Sequence, residues 1–505
     1  MTPTILLLTF ASLVTANHQH KYRPPSVNQK FWKYQDLPRD ETIGQFQREK
    51  SPYTELKFNH QEFKSENLTS YLKEEENYLN YEQIFSKKIA LAEQNYKLVT
   101  LIQNANDNCD KSSTCMCLDR QIDYDLAPFR KENNAPEMDD YTLRELIRMR
   151  DQYKLSVYKI RNNKLFRSPR CFFPARCEGI EYYLLKTLVK ANKTKNAMPD
   201  MDIFINTRDY PMVGKYFNEK RPLPIFSFSK EPNKNFDISY PAWTFHKGGP
   251  AVWPLYPNGL GNWKVIKNEL DIYQEEQRPW SKKYNKVFFR GSRTDKERDT
   301  LVKLSRSRPD MVDAWYTKNQ AFKGPIDTLY AEPRDPIHLK NHCDYKYLFN
   351  YKGVAASFRH KHLFMCKSLV FHVGGQVSNT NLHSKKDYRT NFSHMEDDWI
   401  EFYYPNMKPW IHYVPISLQE NNDPAYLRAL IDYFMRNQTV AKKIAENGYN
   451  YVKNHLTEKN LVCYWNKLLR SYSELIEWEL LPLEEGYDVP ITKAKTFESR
   501  YTDEL

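Results

Sequence analysis

At 505 residues the chain is too long for one ordinary hydrophobic core and suits two domains plus extensions. Its 40% hydrophobic content, with 36 Tyr, 27 Phe and 10 Trp, is that of a globular protein rich in amphipathic rings, as carbohydrate and nucleotide clefts are. A formal charge of +12 admits nucleic acid, acidic membranes or anionic small ligands, although a dispersed solvating surface explains it more simply than a single basic patch.

In chain order, MTPTILLLTFASLVTA carries an apolar run from Ile5 to Val14 and a small-residue cleavage site ending at Ala16, the pattern of a secretory signal peptide over residues 1–16. The run is too short and wrongly flanked to span a membrane, and no other apolar run reaches spanning length. A mature chain starting near Asn17 in a secretory compartment argues against nucleic acid as a partner. Asn-X-Ser/Thr sites at Asn67, Asn192, Asn391 and Asn437 agree with that compartment. So do eight cysteines whose spacings lack the paired CxxC of a zinc site and read as disulfides. The chain ends in Thr502-Asp-Glu-Leu, close to an ER-retrieval signal, so residence in the ER lumen with some secretion is expected.

Residues 17–80 are polar and charged and read as a poorly ordered extension. From Tyr81 a helical stripe runs through Ile84, Ile89, Ala90, Ala92, Tyr96, Leu98 and Leu101. YTLRELIRMR is an amphipathic helix, LSVYKIRNNKLFR a hairpin turning at Asn162-Asn163, and EGIEYYLLKTLVK a second helix. DIFIN and LPIFSFS are strands, and the Pro/Gly/aromatic stretch 241–263 is too broken for a helix. KVFFR, VDAWYT and SLVFHV are strands separated by the helices KERDTLVKLSR and FRHKHLFMCK, and residues 424–478 are mostly helical. Strands alternating with helices in both halves predict an α/β protein of two domains with parallel sheets. The domains are expected at 81–275 and 276–480, the second ending in helices, with a tail over 481–505. Ligands of such folds bind beyond the carboxyl ends of strands, here after Asn206, Ser227, Phe289 and Asn350.

Two loops there are chemically suggestive. FFRGSRTDKERD sets Arg290, Gly291, Ser292 and Arg293 between a strand and a helix, with Arg298 in the first turns, so guanidinium groups, a hydroxyl and helix-start amides form a candidate anion site. KGVAASFRHKHLF repeats the idea: Gly353, Ala355, Ala356 and Ser357 allow close approach and Arg359 adds charge. Together they suit a diphosphate, although no P-loop or complete G-x-G-x-x-G is present. The Asp200-Met-Asp202 pair resembles a metal-binding D-x-D but stands at the wrong end of its strand, and Glu396-Asp397-Asp398 reads as a solvated loop; no metal site is expected. Asp209, in INTRDYP, is a charge at the productive end of a strand; by pattern alone a solvated strand end explains it better than a base does.

CFFPARC, INTRDYP, PAWTFHKGGPAVWPLYPNGLG, FFRGSRTDKERD, VDAWYTKNQA, YKYLFNYKGVAASFRHKHLF and KPWIHYVP occur in that order. Together they resemble the Rumi-type protein O-glucosyltransferases of glycosyltransferase family 90, over most of the chain from the first cysteines to the last helices. The resemblance implies a GT-B fold of two Rossmann-like domains facing across a cleft, with the first holding the base and the acceptor and the second the UDP-sugar. It implies inverting transfer of glucose, with UDP-xylose as a further donor, to serine in the C-X-S-X-(P/A)-C motif of folded EGF-like repeats such as those of Notch-type receptors, with no cofactor or metal and a monomeric enzyme.

Residue by residue, the resemblance makes Asp209 the catalytic base. Tyr256, Ser292, Arg298, Val354, Ala355, Ala356, Ser357, Phe358 and Arg359 become nucleotide-sugar contacts. Phe172, Phe173, Pro174, Ala175, Arg176, Ala251, Val252, Trp253, Pro254, Leu255, Tyr256, Pro257 and Gln320 become acceptor contacts. It implies disulfides Cys109–Cys117, Cys115–Cys463, Cys171–Cys177 and Cys343–Cys366. The chain departs from the family at His246-Lys247, where an aromatic-acidic pair is usual, and in a long polar stretch between Val373 and Asp398. Arg208 receives no role. The contrasting expectations are a catalytically silent ER lectin or folding helper for EGF-like repeats, and a glycoside hydrolase, which would want a second catalytic carboxylate.

Overall fold

The computed structural model describes residues 81–94, 96–97, 112–133, 136–168, 171–218, 220–249, 252, 254–318, 322–374 and 398–492. The signal peptide, the 17–80 extension, Cys109, Asn67, Asn391, Ala251, Trp253, Gln320, the 375–397 stretch and the Thr502-Asp-Glu-Leu end lie outside them.

The hairpin forms as its sequence predicts. β1 (Ser156–Arg161) and β2 (Lys164–Arg167) pair antiparallel with Arg161 opposite Lys164. Asn162 and Asn163 take φ of 50° and 59°, the left-handed pair that a two-residue turn demands and that asparagine tolerates. β3 (Met201–Ile205), β4 (Ile225–Ser227) and β5 (Ile238–Ser239) extend the sheet beyond β1, and β11 (Val489–Ile491) closes its other edge on β2. Here the expectation of a parallel sheet is corrected. β3, β4 and β5 are parallel, but β1 runs antiparallel to both β2 and β3, and β11 runs antiparallel to β2. A tight hairpin can join only antiparallel strands, so half of this sheet is committed by one turn.

The second sheet is parallel throughout. β6 (Tyr284–Gly291), β7 (Val312–Tyr316), β8 (Tyr345–Tyr351), β9 (Leu369–Gly374) and β10 (Val414–Ser417) lie in the order β10-β9-β8-β6-β7. The chain enters at β6, steps out to β7 across the Asp299–Ser307 helix, then returns to the far side of β6 as β8. The order therefore reverses between β6 and β8, the doubly wound arrangement whose ligand crevice opens at that reversal. Residues alternate between two cores: Val287, Phe289, Tyr347, Phe349, Leu369 and Phe371 enter one, and Phe288, Leu348 and Val370 the other. The second core is continuous with that of the first sheet, through residues such as Ile180, Phe226, Trp243 and Phe364. The fold is thus mixed α/β with two sheets.

The helices Pro424–Arg436, Gln438–His455 and Glu458–Ser473 follow as predicted, capped by Asp423 and Thr457 at the first and third. A 3-10 turn, Trp243–Phe245, sits within the aromatic stretch read as irregular. Disulfides join Cys115 to Cys463, Cys171 to Cys177 and Cys343 to Cys366, as the resemblance implied. Cys117 is also disulfide-bonded, and its partner lies outside the described residues. Asp202 is buried, paired to Arg161 Nη2 at 2.5 Å and accepting from Leu481 N at 2.8 Å, while Asp200 Oδ1 accepts from Asn162 N at 2.7 Å. That D-x-D pair fastens the hairpin to the sheet. Of the two described sequons, Asn192 is exposed, whereas Asn437 is half-buried with its Nδ2 donating to Tyr433 O at 2.9 Å.

Gly179, in the Pro174–Lys193 helix, lets that helix lie directly on Trp243: a Cβ at Gly179 would stand 2.6 Å from Trp243 Cβ. Gly179→Ala is expected to destabilise the fold by about 1–3 kcal/mol through this overpacking. Val189→Ala, on the exposed side of the same helix, should change stability by less than about 0.5 kcal/mol. Urea-unfolding midpoints of the two variants check the difference.

Candidate active site

Asp209 stands in the bend just beyond β3, with its side chain 36% exposed. Its Oδ1 faces Arg176 Nη2 at 3.1 Å. Arg176 comes from the first turn of the Pro174–Lys193 helix, next to the disulfide-closed loop Cys171–Cys177, and its Nη1 donates to Thr207 O at 2.6 Å. Its guanidinium lies between two rings, 4.4 Å from the centroid of Phe173 and 4.3 Å from that of Trp243. The loop beneath Asp209 is held from below. Asn206 Nδ2 donates to Tyr210 O and Ser227 Oγ, and Ser227 Oγ donates to Asp237, whose carboxylate also accepts from Met212 N and Val213 N. Burial raises the Asp237 pKa, opposed by those hydrogen bonds. The Asp209 carboxylate is thus both partly exposed and held by one ion pair at the end of its strand.

Arg208, which the sequence left without a role, sits 4.4 Å over the ring of Phe172 and donates from Nε to Tyr153 O at 3.0 Å. Burial lowers its pKa. Phe172 remains 44% exposed, so Arg208 backs an aromatic lip that faces solvent beside Asp209.

The arginines of the second sheet divide into two kinds. Arg290 is neutralised by Asp313 at 2.8 Å, and Arg293 forms a two-pronged pair with Asp299 at 2.8 and 2.6 Å, which raises the Arg293 pKa. Neither serves as an anion ligand in the way the sequence grouping implied. Arg298 and Arg359 have no carboxylate partner among the described residues. Arg298 donates to Ser292 O at 2.5 Å and to Lys352 O, thereby joining the loops after β6 and β8, and its Nε is buried without an acceptor. Arg359 donates to Arg290 O at 2.5 Å. Burial lowers both pKa values, and the Arg298 charge helps push Arg359 down to about 10. Two cations held together at the strand-order reversal, with no ion-pair partner among the described residues and only the more distant Glu297 and Asp295 charges acting on Arg298, favour an anion that binds between them.

The backbone amides at these loops contribute less than the sequence suggested. Asp295 already caps the turn after β6 by accepting from Glu297 N at 3.1 Å, and Ala356 N donates to Ser229 Oγ at 3.1 Å. Guanidinium groups therefore carry the charge. Ser292 follows β6 directly; Ala355 and Ala356 are buried, and Val354 is exposed on the loop after β8. Ser357 Oγ donates inward to Asn350 Oδ1 at 2.7 Å. Tyr256 is pinned by mutual backbone hydrogen bonds with Val252 and by Leu339 N, which donates to its hydroxyl at 2.8 Å; burial raises its pKa. Pro254, Leu255 and Pro257 shape the same turn.

The two regions meet through rings. Phe358, from the loop after β8, lies 4.9 Å from Trp243 and 5.3 Å from Phe228, and Arg176 reaches both of those rings. One aromatic layer thus separates the Asp209–Arg176 pair from the Arg298–Arg359 loops. His246 stacks on Tyr182 at 3.9 Å and Lys247 pairs with Glu178 at 2.6 Å, so this unusual dipeptide packs on the Pro174–Lys193 helix; burial lowers the His246 pKa to about 4. Asp398 corrects its reading as solvated loop: it is buried and hydrogen-bonded to His372 Nε2 at 2.6 Å. Its side-chain partner comes from β9, 26 residues earlier in the chain, so no local pattern in the sequence marks it.

The model of the family described as Glycosyl transferase family 90 matches residues 110–384 and 391–488. Protein O-glucosyltransferase 1 of Homo sapiens is 42% identical over 382 residues, 76% of this chain and 86% of that protein. The Mus musculus protein of the same name is 41% identical over 385 residues, covering 76% and 87%. O-glucosyltransferase rumi of Drosophila melanogaster is 41% identical over 375 residues, covering 74% and 81%.

Replacing either unpaired cation, as Arg298→Met or Arg359→Gln, is expected to weaken binding of pyrophosphate by about tenfold or more, the loss of a charge-assisted contact. Arg293→Met, which removes a neutralised arginine, should leave it within about twofold. Isothermal titration of the three variants separates the two kinds of arginine.

Proposed function

The chain belongs to glycosyl transferase family 90 and is a glycosyltransferase, and we propose that it moves glucose from UDP-glucose, with UDP-xylose as a second donor, to a serine hydroxyl of folded EGF-like repeats. The acceptor serine lies in a C-X-S-X-(P/A)-C motif, as in Notch-type receptors. The names of its relatives support glucose transfer to protein. The observation that carries the nucleotide-sugar reading is the pair of buried guanidiniums at the reversal of the second sheet, with no ion-pair partner among the described residues, one aromatic layer away from an ion-paired carboxylate.

A serine hydroxyl is a poor nucleophile at neutral pH, so a base must take its proton as the bond to the sugar C1 forms. Asp209 is that base. Arg176 fixes Oδ1, and Oδ2 has no partner among the described residues, so one oxygen orients the group while the other receives the proton. A single displacement at C1 by the serine oxygen, its proton passing to this one carboxylate and UDP leaving, inverts the anomeric centre. As the C1–O bond to the phosphate breaks, negative charge grows on the departing UDP, where Arg298 and Arg359 stabilise it. These cations take the part that a divalent metal plays in other transferases. The Asp200 and Asp202 carboxylates are occupied in the hairpin, which supports leaving a metal out of the scheme.

The acceptor is read as docking on Phe172, Phe173 and the Cys171–Cys177 loop, with Ala251, Trp253 and Gln320 completing its contacts. A disulfide-closed lip suits a substrate that is itself a rigid, disulfide-bonded module. The two sheets support a GT-B arrangement in which residues 81–275 carry base and acceptor and 276–480 the donor, facing across a cleft. No helix among the described residues is long and apolar enough to cross a membrane. The predicted signal peptide and the Thr502-Asp-Glu-Leu motif are what support placing the enzyme in the ER lumen.

A folded EGF-like repeat incubated with the enzyme and UDP-glucose is expected to gain one hexose by intact mass. Asp209→Asn should lower the rate by about a thousandfold, within the range of a lost general base, while binding UDP as the unaltered protein does. An unmodified repeat that still binds the enzyme would make the protein a binder, and release of sugar from a glucosylated repeat would make it a hydrolase.

A further inference from the structure

Four buried polar groups form a chain that the mechanism above does not use beyond its last member. Asp398 Oδ2 lies 2.6 Å from His372 Nε2, His372 Nδ1 lies 2.8 Å from Asn350 Nδ2, and Asn350 Oδ1 lies 2.7 Å from Ser357 Oγ. The exposures are 4%, 4%, 2% and 8% in that order, so water does not compete for these bonds. Asp398 is fixed at its own end: Trp399 N donates to Oδ1 at 2.7 Å, and a Cβ on the neighbouring Gly374 would fall inside the carboxylate. Tyr404, Tyr413 and His360 wall the His372 ring.

The direction of each bond follows from the atoms that meet. A carboxylate only accepts, so Nε2 of His372 donates to Asp398. Nδ1 faces the amide nitrogen of Asn350, which only donates, and so Nδ1 accepts. That turns Oδ1 of Asn350 toward Ser357, whose hydroxyl can only donate to it. Ser357 belongs to the loop between Ala356 and Arg359, yet its proton points away from that loop's ligand.

We infer that Asp398 is a positioning residue which, through His372 and Asn350, makes Ser357 a hydrogen-bond acceptor for a hydroxyl of the nucleotide sugar rather than a donor to its phosphates. This rests on the nucleotide-sugar reading proposed above. Phosphate recognition is left to Arg298 and Arg359, and Ser357 reads a hydroxyl of the ribose or of the hexose.

Asp398→Asn keeps the side-chain shape but presents an N–H to His372 Nε2. The chain then inverts: the ring proton moves to Nδ1, Asn350 turns over, and Ser357 offers its proton outward. In ligand-free protein, 15N shifts of His372 are expected to report the Nε2–H tautomer in the unaltered chain and the Nδ1–H tautomer in Asp398→Asn. A proton on Nδ1 in the unaltered chain overturns the inference. In titration calorimetry, Asp398→Asn and Ser357→Ala should each weaken UDP-glucose by about fivefold to tenfold, and the double variant should be no weaker than Ser357→Ala alone, because one residue acts through the other. If UDP weakens equally, the hydroxyl belongs to the ribose; if UDP-glucose alone weakens, it belongs to the hexose. Additive losses, or none, overturn the inference. Absence of UDP-glucose binding by the unaltered enzyme would instead strike the nucleotide-sugar reading, and the tautomer assignment would still judge the relay.

Discussion

The guanidinium of Arg176 is the joint on which the rest of the site depends. Its plane is gripped by Phe173 and Trp243, its Nη1 is tied to Thr207 O, and its Nη2 holds Asp209. A planar cation can do all of this at once because its faces attract rings while its edge presents several donors in a fixed fork. A lysine would offer a point charge with no faces to stack, and the carboxylate would lose its orientation. Trp243 reaches Arg176 because Gly179 allows the helix to lie against it, and the same indole touches Phe358 on the opposite side. One residue without a side chain thus sets the spacing between the carboxylate and the loop that carries Phe358 and Arg359.

Electrostatically the site is built on an imbalance. Most arginines of the second sheet sit with a carboxylate, as Arg290 does with Asp313 and Arg293 with Asp299. Arg298 and Arg359 make do with backbone carbonyls, whose partial charges offset a buried cation only in part. Preorganised positive charge of this kind acts most strongly where charge develops late, on a leaving group, because nothing has to rearrange as the reaction proceeds.

What the sequence revealed followed the range of the forces involved. The Asn162-Asn163 turn, the caps at Asp423 and Thr457 and the alternating strands are local, and pattern alone located them. The parallel second sheet was legible because its strands are apolar runs buried on both faces. The antiparallel half of the first sheet was not, since the pairing of β1 with β3 and of β2 with β11 joins distant segments whose own patterns fit either direction. In the site, arginine counts could not separate the neutralised pair from the uncompensated one, because Asp313 and Asp299 reach them only in the fold. Asp398 was misread for the same reason: in sequence it ends an acidic run, and in space it lies beneath the donor loop. The motifs singled out Asp209 and Arg176 only through family resemblance; their mutual contact came from the structure.

The pairing of β11 with β2 also constrains the order in which the molecule can be made. β2 is synthesised more than three hundred residues before its edge partner, and Cys115 waits for Cys463 across a separation of 348 residues. Until residue 491 has left the ribosome, the first sheet has a bare edge, with N–H and C=O groups open to pairing with any other chain. Contacts of such long range close slowly. The first sheet of this enzyme is therefore the last to be completed, although its first strands are the earliest made.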